Sequence, residues 1–284
     1  MKSDDMSDGR EFVMKIPKSL VFIVASIVLL VLAGCGGGEK KQEAKPAEKP
    51  AAVKVLKVGM DAAYPPFGSQ DIKTKEYVGF DVDIIKAIGK EEGFNVNIQN
   101  LAFDGLIPAL KTNNIDVAIN DITITEDRAK SVDFSKRYYI AGLGVVVKKD
   151  NTTIKTAKDL EGKRLGVSIG STGEEAARKI AKAQVKVFNQ LNEAFLELKN
   201  NGVDAVINDI PTNEYYANTT GRNDVKTIEV ALTTEDLGIA VKKDNKELLT
   251  KINSGLAKIK KNGEFTKIYQ KWFGKEPPKA LLNE

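Results

Sequence analysis

The chain has 284 residues, 42% hydrophobic and 29% charged, enough to bury ordinary cores in one or two domains and unlike a disordered polymer. Its 43 basic residues face 39 acidic ones along the whole length, for a net charge of +4, which is a mixed solvated surface and not a nucleic-acid footprint. It has no histidine and one cysteine, which excludes Ser-His and Cys-His nucleophilic pairs, most zinc sites and any intrachain disulfide.

At the N-terminus Lys15 and Lys18 precede LVFIVASIVLLVLA (20–33), an apolar run with only Ser26 polar and too short to span a bilayer comfortably. Basic flank, apolar run and small residues lead to Leu32-Ala33-Gly34-Cys35, the layout of a secretory signal over residues 1–34. The polar stretch before Met14 adds nothing to that signal, so the start is Met1 or Met14. LAGC resembles the bacterial lipobox, which implies a lipid on Cys35 and a hold on the extracytoplasmic face of the cell membrane. Residues 35–52, rich in Gly, Lys, Glu, Ala and Pro with no apolar period, read as a flexible tether from that lipid.

From Val53 short apolar runs alternate with helical periods. VKVLKVGM (53–60) predicts a buried strand, and FDVDIIKAIGKEEG (80–93) a helix with a stripe of Phe80, Ile84, Ala87 and Ile88 ending at Gly93. FNVNIQNL (94–101) predicts a strand, FDGLIPALKTN (103–113) a short helix with Asp104 as N-cap, and IDVAIND (115–121) a strand. The order β-α-β-α-β argues for a parallel α/β unit. It then repeats: strands at 163–168, 185–189 and 203–209, and helices at 173–183 and 191–201.

The repetition is also literal. ALKTNNIDVAINDI (109–122) and ELKNNGVDAVINDI (197–210) share Leu-Lys, an Asn, an Asp and the closing Ile-Asn-Asp-Ile. Each covers the helix, the left-handed Asn-rich or Gly-bearing turn and the strand that close one βαβαβ unit. LGVVVKK (143–149) and LGIAVKK (237–243) are near copies as well. The simplest path has two lobes with no flexible linker between them, the chain crossing near 138–143 and returning near 233–238, and the two C-terminal helices packing on the first lobe. This sets lobe one at 53–140 and 236–275, lobe two at 141–235, and a tail at 276–284.

Ligands of parallel α/β sheets sit beyond the carboxyl ends of the strands. With the lobes face to face, Asn120-Asp121 and Asn208-Asp209 supply polar strand ends to the two walls of one cleft; taken singly each would read as a turn dipeptide. In ITITEDR (122–128) Thr125 caps a helix near whose start Arg128 sits, and a guanidinium grips a carboxylate with two prongs, although a surface ion pair is the commoner fate. IGSTGEE (169–175) precedes a helix and reads as an anion-facing turn or as a plain Ser171–Glu174 capping box. DAAYPPFGS (61–69) brings Asp61 and Tyr64 in a proline-stiffened loop, and Phe103 opens another strand-to-helix turn; aromatic walls with convergent polar groups suit a small amphipathic ligand. The DVD of residues 81–83 is weak for metal, because positions two apart do not share a helix face.

DAAYPPF, GFDVDI, FDGLIPAL, TITEDRAKSVDFSKRYY, GSTGEE, DAVINDIP and a closing YQKWFG together resemble the solute-binding proteins of polar amino-acid ABC transporters, from Val53 to Phe273. The resemblance implies an α/β periplasmic-binding-protein-like (type 2) fold of two lobes, each a mostly parallel sheet flanked by helices, joined by a two-strand hinge. It implies a monomeric, non-catalytic binder without cofactor, metal or nucleic acid, which hands an amino acid to a membrane ABC permease. It also implies roles: Arg128 on the ligand α-carboxylate with Thr172 assisting, Asp209 on the α-ammonium, Thr123 and the Asp121 carbonyl as further polar contacts, Tyr64 and Phe103 around the side chain, and Asp61 at its polar end. Two positions depart from the family pattern. Asp121 stands where Gly or Ser is common, and Ser168 where some glutamine binders carry Lys. Asp61, Asp121 and Asp209 against Arg128 leave acid over, which disfavours an acidic ligand and favours a cationic side chain (arginine, lysine, ornithine or histidine), with glutamine as runner-up. Rival readings are a dehydratase on the same scaffold and a sensor domain, the second disfavoured by a chain that ends in KEPPKALLNE.

Overall fold

The computed structural model describes residues 54–283. The signal segment, Cys35 and the tether lie outside the described residues. Two five-stranded sheets organise the rest. The first runs Phe94–Asn100, Lys54–Met60, Val117–Ala118, Ala240–Lys242, Val132–Phe134, and the second Gln184–Phe188, Arg164–Ser168, Ala205–Asp209, Leu143–Lys148, Val225–Ile228. In each, the first three strands are parallel and the fourth is antiparallel to both its neighbours, so four of five strands share a direction. Of the first three strands of each sheet the chain visits the second, then the first, then the third, which puts a topological switch point between the second and third strands; the second sheet is entered earlier, through its antiparallel strand Leu143–Lys148.

The helix Phe80–Glu92 buries Phe80, Ile84, Ile85 and Ile88 against the first sheet and stops at Gly93, whose left-handed φ of 72° returns its N–H to the Gly89 carbonyl. Helices Lys246–Lys261 and Glu264–Phe273 pack on it and close one core with Phe67, Tyr138, Tyr139, Tyr269 and Phe273. Leu281, on the short helix Lys279–Leu282, is fully buried in the same core. The second sheet has apolar clusters on both of its faces.

The repeated sentence builds the same device twice. Asn113 and Asn201 both turn left-handed, at φ 60° and 61°, where asparagine is better tolerated than most residues. The aspartate that follows then pins the neighbouring strand: Lys57 N–H donates to Asp116 Oδ2 at 2.9 Å and Arg164 N–H to Asp204 Oδ2 at 2.8 Å. The copies part at their ends. Ala205–Asp209 stays extended because Leu143–Lys148 pairs along its whole length, Asp209 opposite Leu143. The expected strand 115–121 shrinks to Val117–Ala118, because its antiparallel neighbour pairs only with those two residues and the chain peels away to a left-handed Asp121 at φ 52°.

Between the sheets the chain crosses twice. Tyr139–Ala141 and Glu235–Leu237 form an antiparallel ladder, with Leu143 N–H donating to Thr233 Oγ1 at 3.0 Å and Leu232 N–H to the Leu143 carbonyl at 2.7 Å. The crossings lie so close that a Cβ on Gly142 would strike the Thr233 carbonyl. These two strands are the hinge of a two-lobe fold.

Candidate ligand-binding site

The carboxyl ends of the inner strands meet across the gap between the lobes. Asp61 follows Lys54–Met60; its N–H donates to Asn120 Oδ1 at 2.8 Å, and its own Oδ1 accepts from Ala63 N–H at 3.0 Å, which fixes the loop carrying Tyr64. Burial pushes the Asp61 carboxyl above its usual range, partly offset by backbone N–H groups. The Tyr64 ring stacks on Phe103 with centroids 6.4 Å apart, and its hydroxyl donates to Asn208 Oδ1 in the opposite lobe. Tyr64 therefore packs among side chains of the second lobe, with Val146, Leu191 and Phe195.

Phe103 is half-buried and Asp104 is exposed. The expected N-cap is absent: Phe103–Gly105 is a 3-10 turn feeding the helix Leu106–Lys111, and neither has a side-chain cap, so Asp104 sits inside the first turn. The cap at Thr125 does form, its Oγ1 accepting from Arg128 N–H at 3.2 Å. Arg128 then reaches inward. Its guanidinium carbon lies 5.4 Å from the centre of the Phe103 ring, Nη1 donates to the Thr123 carbonyl at 2.9 Å, and Nη2 donates to the Gly170 carbonyl of the second lobe at 2.9 Å. Burial lowers its pKa, with Glu175, Asp209 and Glu235 pulling the other way.

On the facing wall Ser171 caps the helix Thr172–Arg178, its Oγ accepting from Glu174 N–H at 3.1 Å, but the reciprocal half of the box is displaced: Glu174 takes the N–H of Gly170, at 2.8 Å, because Ser171 N–H is already given to the Ser168 carbonyl. Gly173 lets this turn lie against the Ile207 carbonyl, which a Cβ would meet at 2.7 Å, and so fixes Thr172 at the lobe junction. Ser168 is buried at its strand end, but its bonds are local, the carbonyl accepting from Ser171 Oγ at 2.7 Å.

Asp209 opens the helix Ile210–Asn218 and is 5% exposed; Asp121 is 4% exposed. Both oxygens of Asp121 and Oδ1 of Asp209 have no hydrogen-bond partner. Burial raises the Asp121 carboxyl, with Asp209, Asp81 and Glu235 adding to it, against the Thr212 hydroxyl. Burial and then Glu235 raise Asp209 in the same way, against Arg128. Beneath Asp121, Asp81 Oδ2 accepts the Asp121 N–H at 2.9 Å, while Asp83 takes Lys271 and Trp272 Nε1, each at 2.7 Å. The DVD pair thus serves the fold, and among the described residues no cluster is arranged to hold a metal.

Sequence reasoning missed Glu235. It is 8% exposed, and its Oε2 accepts from Thr123 Oγ1 at 2.6 Å and Thr172 Oγ1 at 2.9 Å. The only sequence signal is an acid after two threonines, TTED (233–236), at the predicted return crossing. A cavity of about 660 Å³ opens beside it, lined by Thr123, Thr125, Thr172, Glu175, Lys179 and Glu235 among others; of the sequence-predicted ligand residues Thr123 and Thr172 border it, while Asp61, Tyr64, Phe103, Asp121, Arg128, Ser168 and Asp209 do not.

Two lobes closed on a two-strand hinge, with a cation, aromatics and acids at their junction, define a binding protein for a small polar solute. The chain belongs to the bacterial extracellular solute-binding proteins, family 3, whose model matches residues 56–275, and it is a binding protein and not an enzyme. It is 37% identical over 227 residues to the ABC transporter arginine-binding protein 1 of Escherichia coli (strain K12), covering 78% of this chain and 92% of that one. It is 32% identical over 260 residues to the arginine-binding extracellular protein ArtP of Bacillus subtilis (strain 168), covering 90% and 98%. An ancestral arginine-binding protein, solved with arginine and with glutamine, superposes with a TM-score of 0.75 at 47% identity, covering 78% of this chain and 98% of that one.

Proposed function

We propose that this protein captures a basic amino acid between its lobes and delivers it to a membrane ABC permease, exported by the signal at 1–34 and held at the extracytoplasmic face by a lipid on Cys35. The observation that carries the ligand class is the charge balance of the junction. Asp61, Asp121, Asp209 and Glu235 are each under 9% exposed, while Arg128 acts on Asp209 and Glu235. A zwitterion's α-groups pair with Arg128 and one carboxylate, leaving acid that a guanidinium or ammonium side chain offsets and that an acidic ligand would worsen.

In this reading Arg128 grips the α-carboxylate with Thr172 alongside, Asp209 takes the α-ammonium, and Thr123, Ser168 and the Asp121 carbonyl add polar contacts. Tyr64 and Phe103 sandwich the side chain and Asp61 meets its charged end. The division into lobe one (53–140 and 236–275) and lobe two (141–235) is supported by the membership of the two sheets. Closure draws on differential affinity: the ligand engages both walls only in the closed form.

Arginine-binding relatives support the basic reading, and the ancestral binder solved with glutamine keeps that amino acid as the second reading. A thermal-shift panel of amino acids on ligand-stripped protein tests both. At ~1 mM, a ligand with a Kd near ~1 μM stabilises by about 4 kcal/mol. Shifts with arginine, lysine or histidine are expected. A shift with glutamine alone would discard the charge argument, and silence across the panel would discard the amino-acid reading.

A further inference from the structure

We propose that Glu235 is the positioning residue of the cleft, the carboxylate that joins the two walls in the closed form; this rests on the reading of the cleft as an amino-acid site. Its partners come from three places. Oε2 takes the hydroxyl of Thr123 from the first sheet's side at 2.6 Å and that of Thr172 from the second's at 2.9 Å. Oε1 takes Thr233, on the return crossing itself, at 2.9 Å. The residue opens the hinge strand Glu235–Leu237, so its backbone is tied to Tyr139–Ala141 whatever the lobes do.

One oxygen can accept from both lobes only while the lobes are together. Parting them breaks at least one charge-assisted hydrogen bond, stronger than a neutral one. Thr123 and Thr172 are also residues to which the proposed function gives ligand contacts, and both border the same cavity as Glu235. Each hydroxyl has one proton, and with that proton committed to Glu235 its rotamer and its remaining lone pairs are fixed toward a ligand. Glu235 thereby orders both contact groups in the closed form and holds the lobes together around the ligand.

The test compares Glu235→Ala, Glu235→Gln and Thr233→Val with wild type in the purified protein, using L-arginine in stopped-flow binding and an interlobe FRET pair without ligand. Truncating a buried hydrogen-bonded charge acts on dissociation, so Glu235→Ala is expected to raise the arginine off-rate by about tenfold or more, with an on-rate change within about threefold. Glutamine keeps an acceptor oxygen, so Glu235→Gln recovers part of the loss. Thr233→Val removes the Oε1 contact and the acceptor of the Leu143 N–H, both within the hinge crossings, while leaving the two contacts of Oε2 to Thr123 and Thr172, so its off-rate is expected to stay near wild type. The ligand-free Glu235→Ala protein is expected to show a longer mean interlobe distance. An off-rate and a ligand-free FRET distribution both unchanged in Glu235→Ala, or a Thr233→Val effect as large as that of Glu235→Ala, would overturn the proposal. Urea midpoints establish that each variant folds, and Glu235→Gln carries the comparison if the alanine variant does not. If no amino acid binds the wild type, the proposed function fails, and the ligand-free FRET comparison still decides the role of Glu235.

Discussion

Arg128, anchored on the first lobe by the Thr125 cap, donates from Nη2 to the carbonyl of Gly170 on the second at 2.9 Å, while Nη1 holds the Thr123 carbonyl of its own lobe at the same distance. One planar fork thus spans the closure with both terminal nitrogens engaged, over the Phe103 ring. A lysine offers a point charge and no fork. Arg128→Lys is therefore expected to weaken amino-acid binding by about 100-fold, roughly 3 kcal/mol, measured by titration calorimetry. A change under about threefold would show that the fork is not the carboxylate grip.

Asp61 separates the two ligand readings. Its carboxyl is buried and held by the Ala63 N–H, so the isosteric Asp61→Asn keeps the loop and removes the charge. A basic ligand is expected to lose about tenfold in affinity or more, whereas glutamine loses little or gains, so the affinity ratio of arginine to glutamine falls. Competition binding of the two amino acids to the variant reads that ratio directly. A constant ratio would remove Asp61 from the side-chain pocket.

Asp81 makes a pH prediction with a definite sign. Burial pushes its carboxyl up to about 7 from 3.8, against the pull of the Asp121 N–H and the Tyr138 hydroxyl. A folded-state pKa above the unfolded one means that the folded protein holds the extra proton in between. The contribution of Asp81 to stability is thus greatest below the unfolded value and falls as pH rises from about 4 toward about 7, by a total on the order of 4 kcal/mol. Asp81→Asn keeps an oxygen for the Asp121 N–H and cannot ionise. Urea midpoints at pH 5 and pH 8 are expected to differ less in the variant than in wild type, and equal differences would contradict the assignment.

Gly142 tests the hinge. A Cβ there meets the Thr233 carbonyl on the other crossing, so Gly142→Ala pushes the two hinge strands apart. Overpacking of this kind costs about 1–3 kcal/mol. The expected result is a lower urea midpoint together with a changed ligand-free interlobe distance by FRET or small-angle scattering. A fall in stability with no change in interlobe distance would place the strain outside the hinge motion.

Much of this architecture is legible in the chain because its signals are local. The apolar stripe of Phe80, Ile84 and Ile88 with its closing Gly93, and the cap at Thr125, each depend on residues within one turn of themselves and form as read; the expected left-handed turns form too, at Asn113 and Asn201, with Gly202 of the second copy not the left-handed residue. The repeated Ile-Asn-Asp-Ile marked two equivalent strand ends, and backbone pairing kept them equivalent as far as Ala118 and Val206. Asp104 misled because capping depends on where the first turn starts, and Ala102 and Gly105 set that start.

What only the tertiary structure decided concerns groups brought together from far apart in the chain. Asp121 and Asp209 read alike, yet one is left-handed with its N–H on Asp81 and the other begins a helix, because different neighbours pair with their strands. Glu235 carries only the slight local signal of TTED and its near contact with Thr233, and its place between Thr123 and Thr172 exists only once the chain has crossed the hinge twice and the lobes have closed. Periodicity and caps act over a few residues and so are written in the sequence. The charge balance of a cleft depends on which strand ends face each other, and that is set by pairing and closure.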